Sequence, residues 1–225
     1  GPSAPQTRTI KQALEEVLTS PAMTTAAVGT REARVTIGYL LKNLPEQVQA
    51  RMVMFGQSLP FYRATDQTVR TTGESPATLK ADTFDAQLLI HEVTHAATAH
   101  VINAVSESIV SPGTVKLAVP GDAKEAVLRL AGLHQELRSH LDATGARDTG
   151  RRFGHDYAAQ DLHEFVAQVM SDRETRETLL KMPGKKFDAP NMLQAFINSV
   201  LDILGFDRKS ADTALAEAMK HIDTV

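Results

Sequence analysis

Leu88-Leu89-Ile90-His91-Glu92-Val93-Thr94-His95-Ala96-Ala97 is the stretch on which the reading of this chain turns. Leu88, Leu89, Ile90, Val93, Ala96 and Ala97 spread apolar side chains over much of a helical circumference, the pattern of a helix buried on most sides. The spacing predicts a helix from Thr83 to about Val105, with Asp82 or Thr83 as its cap and Ser111-Pro112-Gly113 as its stop. Into this apolar surface the sequence sets two histidines and a glutamate. Histidines four residues apart on a helix share one face, roughly 6 Å apart. Two imidazole nitrogens so placed can meet one zinc ion at about 2.0–2.1 Å each. Glu92 follows the first histidine and stands beside the same metal, where it can take a proton from a water of lowered pKa. Histidines in an apolar helix need buried partners. A shared metal is one answer, and a hydrogen-bonded pair of core histidines is the other.

Outward from this helix the chain reads as mostly helical. Ile10, Leu14, Val17 and Leu18 recur at helical spacing over Thr9–Leu18, and Ala33, Ile37, Leu40, Leu41 and Leu44 do so over residues 30–44. Arg51–Phe55 and Phe61–Arg63 are short strand candidates, residues 64–80 read as turns with at most short strands, and Val115–Val119 is a further strand candidate. Asp122–Leu141 carries Val127, Leu130, Leu133, Leu137 and Leu141 in line. A polar, Gly-rich loop is expected over Ala143–Asp156, then helices over Asp161–Met170, Thr175–Lys181, Asn191–Leu204 and Ser210–His221, with Met182-Pro183-Gly184 as a break. No repeat or sharp boundary divides this. The expectation is one domain over 10–225, of α+β class and mainly helical, with a small sheet packed on the active-site helix. Residues 1–9 are expected to be a disordered lead, in which Gly1-Pro2 looks like the remnant of a removed tag within a longer polypeptide.

Composition narrows the chemistry. The 225 residues are 42% hydrophobic and 23% charged, enough for a sizeable core. There is no cysteine, which removes disulfides, thiolate zinc sites and thiol catalysis. A formal net charge of -3, with no Trp and few other aromatics, argues against a nucleic-acid partner. No apolar run approaches the ~20 residues that span a bilayer, so no membrane partner is expected.

A catalytic zinc takes three protein ligands and keeps a position open for water. His-Glu-x-x-His supplies two ligands and is a signature of metallopeptidases. His100 lies about 140° round the helix from His95 and faces away. Thr98 and Val101 close the metzincin route, which needs a Gly and a third His there. His163, His155 and His134 remain candidates, whereas His140 and His221 fall on helix surfaces.

His91-Glu92-x-x-His95, then Tyr157, then Glu164-Phe165-Val166-Ala167 resembles the gluzincin peptidases of the anthrax lethal factor type. It is similar also to zincin domains of large phage and mobile-element proteins. The likeness covers roughly residues 82–105 and 155–181. It implies a zincin-like domain, one zinc ion, and Glu164 as the third ligand beside His91 and His95. It also implies that Tyr157, seven residues before Glu164, points at the substrate, where a phenol O–H can stabilise an oxyanion. Gln168 departs from the family, which often has an acid at that position.

Plainer readings stand beside these. Asp161-Leu162-His163-Glu164 is also a capping box, Tyr157 can simply pack a loop on the core, and Arg151-Arg152 can be solvated. Asp156, Asp161 and Thr94 are available to orient the histidines. The implied function is a zinc-dependent endopeptidase acting on a protein or peptide, with Glu92 as general base, in the cytoplasm of a bacterial host or delivered by a phage particle. The alternatives are a catalytically silent zincin-fold binding module and a structural zinc domain.

Overall fold

The computed structural model describes residues 7–9, 23–24, 51–55, 61–63, 68–72, 84–110, 121–146 and 155–204, with scattered helical positions between Lys11 and Leu41. The helix stop at 111–113, the strand candidate Val115–Val119, Arg151-Arg152 and the helix expected over Ser210–His221 lie outside the described residues.

The described core lies mainly on six helices, α1 (Ala86–Val110), α2 (Gly121–Thr144), α3 (His155–Ala158), α4 (Leu162–Ser171), α5 (Arg173–Lys181) and α6 (Met192–Ile203), and Leu14, Ala33 and Ile37 from earlier in the chain join it. Short extended segments pair early in the chain, namely β1 (Thr7–Thr9), β2 (Met23–Thr24), β3 (Arg51–Phe55), β4 (Phe61–Arg63), β5 (Thr68–Thr72) and β6 (Phe84–Asp85). β3 runs antiparallel to β1 and parallel to β5, β4 is antiparallel to β5, and β2 is parallel to β6. These ladders are two to five residues long. The α+β class, with a small sheet packed on the active-site helix, is therefore corrected to a mainly helical fold. The element laid along the histidine face of α1 is another helix, α4.

Side-chain pairs give the direction of that packing. Gln87 Nε2 donates to Asp172 Oδ1 at 3.2 Å, His91 meets Ser171 and Glu164, and His163 Nε2 stands 3.0 Å from Asn103 Oδ1. The position on α4 falls as the position on α1 rises, so the two helices are antiparallel. Ile90, Val93 and Ile102 on α1 and Val166, Val169 and Met170 on α4 are all buried in the shared core.

α2 packs against α1, α4 and α6. Val127, Leu130, Leu133, Leu137 and Leu141 form the predicted stripe on α2, and all are buried. Phe165 joins three helices. Its ring meets Phe196 of α6 edge to face at 5.6 Å and lies 5.5 Å from the His134 ring of α2. Burying such a ring contributes roughly 1.5–3 kcal/mol, and the paired aromatics add about 0.5–1.5 kcal/mol.

Helix ends fall where short polar side chains can take orphan N–H groups. Asp161 caps α4 through the Glu164 N–H at 2.9 Å, and Asn191 caps α6 through the Gln194 N–H at 2.8 Å. Asp172 closes α4 and opens α5: its own N–H donates to Gln168 O, while its carboxylate accepts from the Thr175 N–H at 2.8 Å and the Thr175 hydroxyl at 2.7 Å. Arg176, 1% exposed, turns back from α5 to donate to Val169 O and Met170 O at the end of α4. Gly184 is required at the break after α5, because a Cβ there would run into the Asn191 carbonyl.

Asp172→Ala removes the cap of α5 and the tie to Gln87 together. Its unfolding free energy in urea is expected to fall by about 2–3 kcal/mol. A loss below ~0.5 kcal/mol would show that Asp172 is dispensable to the α4–α5 junction.

Candidate metal centre

α1 places His91 and His95 one turn apart, their rings edge to face with centroids 4.7 Å apart. α4 brings Glu164 to them. His91 Nε2 lies 3.0 Å from Glu164 Oε2, His95 Nε2 lies 3.1 Å from His91 Nε2, and His95 Nε2 lies 3.4 Å from Glu164 Oε2. His91 is 1% exposed, whereas His95 and Glu164 are partly open at the rim of the helix pair.

Glu164 meets the ligand reading with its carboxylate and half of the capping-box reading with its backbone. Its backbone N–H is capped by Asp161, as a capping box requires, but its carboxylate faces the two imidazoles. The carboxylate also sits in the first turn of α4, where the positive end of the helix dipole favours an anion.

Three electron-rich atoms so close together suit a shared cation better than shared protons. Ligand atoms about 2.0–2.1 Å from a tetrahedral zinc stand about 3.3 Å from one another, and the three separations here bracket that value. His91, His95 and Glu164 thus form a group able to hold a metal ion. Their protonation agrees. Burial drives the His91 pKa below the ordinary histidine value, against the hydrogen bond to Glu164 that raises it. Burial pushes the Glu164 carboxyl up, but its hydrogen bonds with His91 and His95 and their charge outweigh that and hold it at about 2. A neutral imidazole and an ionised carboxylate are the ligand forms of these groups.

Glu92 is buried on α1 beside His91, at 7% exposed. Tyr157 comes from α3, a helical turn just beyond the expected loop, and its ring stands 5.6 Å from that of His91, tilted by 54°. The rival ligands have other partners. His163 faces Asn103, His155 Nε2 stands 3.0 Å from the Thr178 hydroxyl, and His134 packs on Phe165. Of the residues available to orient the histidines, Thr94 donates to Ile90 O and Asp161 caps α4. The group found at His91 Nδ1 is instead the Ser171 hydroxyl, at 3.4 Å. Sequence reasoning missed Ser171, although its place seven residues after Glu164 puts the two on one face of a helix. Gln168 is fully buried between them, and among the described residues neither of its amide atoms has a hydrogen-bond partner.

Compared with models of known families, with curated proteins and with solved structures, the chain matches none. No described helix is long and apolar enough to cross a membrane.

After dialysis against a mild chelator, the wild type is expected to keep about one zinc per chain by mass spectrometry. Glu164→Ala should lose most of it and His163→Ala should keep it. The reverse pattern would make His163 the third ligand.

Acid should weaken the metal-free fold. Burial lowers the pKa values of His91, His100, His134 and His163 below 6.5. The unfolded chain then binds more protons than the folded one once pH falls below about 6.5, and stability drops as pH falls toward the folded values. The carboxyl of Glu164 contributes stability above its ordinary 4.5 that is lost only toward about 2, below this window. The thermal midpoint of metal-free protein should therefore fall from pH 7 to pH 5. A flat profile would contradict burial of these imidazoles.

Proposed function

We propose that the chain is a zinc-dependent endopeptidase of the gluzincin kind, with His91, His95 and Glu164 as metal ligands. The observation that supports this most is the mutual approach of the three ligand atoms to 3.0–3.4 Å at the junction of two helices. When bound, zinc supplies Lewis acidity, which polarises a peptide carbonyl and makes a water acidic enough to deprotonate near neutral pH. Glu92 takes the proton of the attacking water and passes it to the leaving amine. The Tyr157 hydroxyl donates to the oxyanion that develops on the carbonyl. Water on the far side of His91 is excluded by the buried α1–α4 contact, while the partial exposure of His95 and Glu164 leaves one side open to a peptide.

A second reading, a zinc-holding module that does not hydrolyse, draws on Gln168. It is neutral where the family often has an acid, so the local field is weaker.

Hydrolysis of quenched fluorescent peptides separates the two. Glu92→Gln should bind zinc like the wild type and cleave about 100- to 10,000-fold more slowly. Tyr157→Phe should lower kcat by about 10- to 1,000-fold with KM little changed. A zinc-loaded wild type no faster than Glu92→Gln on every peptide would select the silent module.

A further inference from the structure

We infer that Ser171 is a positioning residue for the metal site, favouring the His91 tautomer whose Nε2 lone pair is free for a metal ion shared with His95 and Glu164. This deepens the metal-site reading and rests on it.

A serine hydroxyl has one hydrogen to give. Ser171 gives its hydrogen to the Ala167 carbonyl, 2.8 Å away in its own helix. Ser171 is fully buried, so bulk water does not compete for the oxygen. What the oxygen presents to His91 Nδ1, at 3.4 Å, is therefore a lone pair. Nδ1 must carry the proton to make a favourable contact. A neutral imidazole has one N–H, so Nε2 is left as an acceptor. Nε2 is the nitrogen that lies among His95 Nε2 and Glu164 Oε2.

The distance is long for an N–H···O bond, so its contribution is more to orientation than to strength. The placement is nonetheless over-determined. Asp172, the next residue, is tied to Gln87 on α1, one turn before His91. The same helix face delivers Glu164 to one ring nitrogen of His91 and Ser171 to the other. α4 thus grips the imidazole from both edges, which fixes ring rotation as well as tautomer.

Ser199 provides the control. It is fully buried in α6 and makes the same bond to the carbonyl four residues back, Ala195 O at 2.8 Å. It reports what losing such a hydroxyl costs the fold in general. Zinc affinity is measured by competition with a chromophoric chelator for wild type, Ser171→Ala, Ser171→Thr and Ser199→Ala. Ser171→Ala should bind zinc about 10-fold more weakly. Ser171→Thr, which keeps the hydroxyl, and Ser199→Ala should bind within about twofold of wild type. Long-range 1H–15N spectra of the zinc-loaded protein add a second readout, because without metal the carboxylate of Glu164 competes for the imidazole proton at Nε2. The Nδ1–H resonance of His91 should move upfield in Ser171→Ala, as expected on losing its acceptor, and stay in place in Ser199→Ala. Equal zinc affinity in wild type and Ser171→Ala overturns the inference, as does an equal loss in Ser199→Ala. An unmoved Nδ1–H resonance in Ser171→Ala also overturns it. If wild type binds no zinc, the metal reading falls and the inference falls with it.

Discussion

The antiparallel docking of α4 on α1 is the constraint on which the rest depends. Each helix alone carries only part of a site, two imidazoles on one and a carboxylate on the other. Joined, they bring three lone-pair donors within 3.4 Å of one another at the edge of an apolar interface. Taking such groups out of water is costly unless each finds a partner. The interface supplies partners along its whole length, from Gln87–Asp172 through His91–Ser171 to Asn103–His163. A slip of one residue on α4 would rotate its side chains by about 100° and break all of these at once.

Neighbouring residues on α4 divide the work by that same rotation. Glu164 faces the histidines, and Phe165, one step on, faces α2 and α6. The aromatic cluster of Phe165, Phe196 and His134 holds the back of α4 while its front carries the site. At its end the helix is closed by Asp172 and by the buried guanidinium of Arg176, whose charge suits the carbonyl end of a helix. Rigidity at the site thus comes from apolar packing behind it and polar closure beyond it.

How much of this was legible in the sequence differs by element. Helices with strong periodicity and a short polar residue at the start, such as Met192–Ile203 after Asn191, can be read closely. α1 begins at Ala86, not Thr83, because Phe84 and Asp85 pair with Met23–Thr24, a partner far away in the chain. Tyr157 fell next to a Gly-rich loop in sequence yet lies in a helical turn, since one turn is too short to show a period. The sheet expected against α1 was an inference from weak strand signals, and the described fold is mainly helical instead. His91 and His95 were visible from spacing alone. Glu164 came through resemblance, and Ser171 not at all, since a serine among apolar residues gives no signal until its partner helix is known.

His91 and Glu164 are separated by 73 positions in the chain. At a synthesis rate of about 5–20 residues per second, α1 leaves the ribosome roughly 4–15 s before α4 can meet it. In that interval α1 lacks the helix that lies along its histidine face, and two imidazoles stand without the third donor. The nascent chain therefore passes through a stage that is both sticky and able to grasp metal only loosely. Whatever shields α1 during translation also keeps the histidines from binding a metal ion before the carboxylate arrives to complete the set.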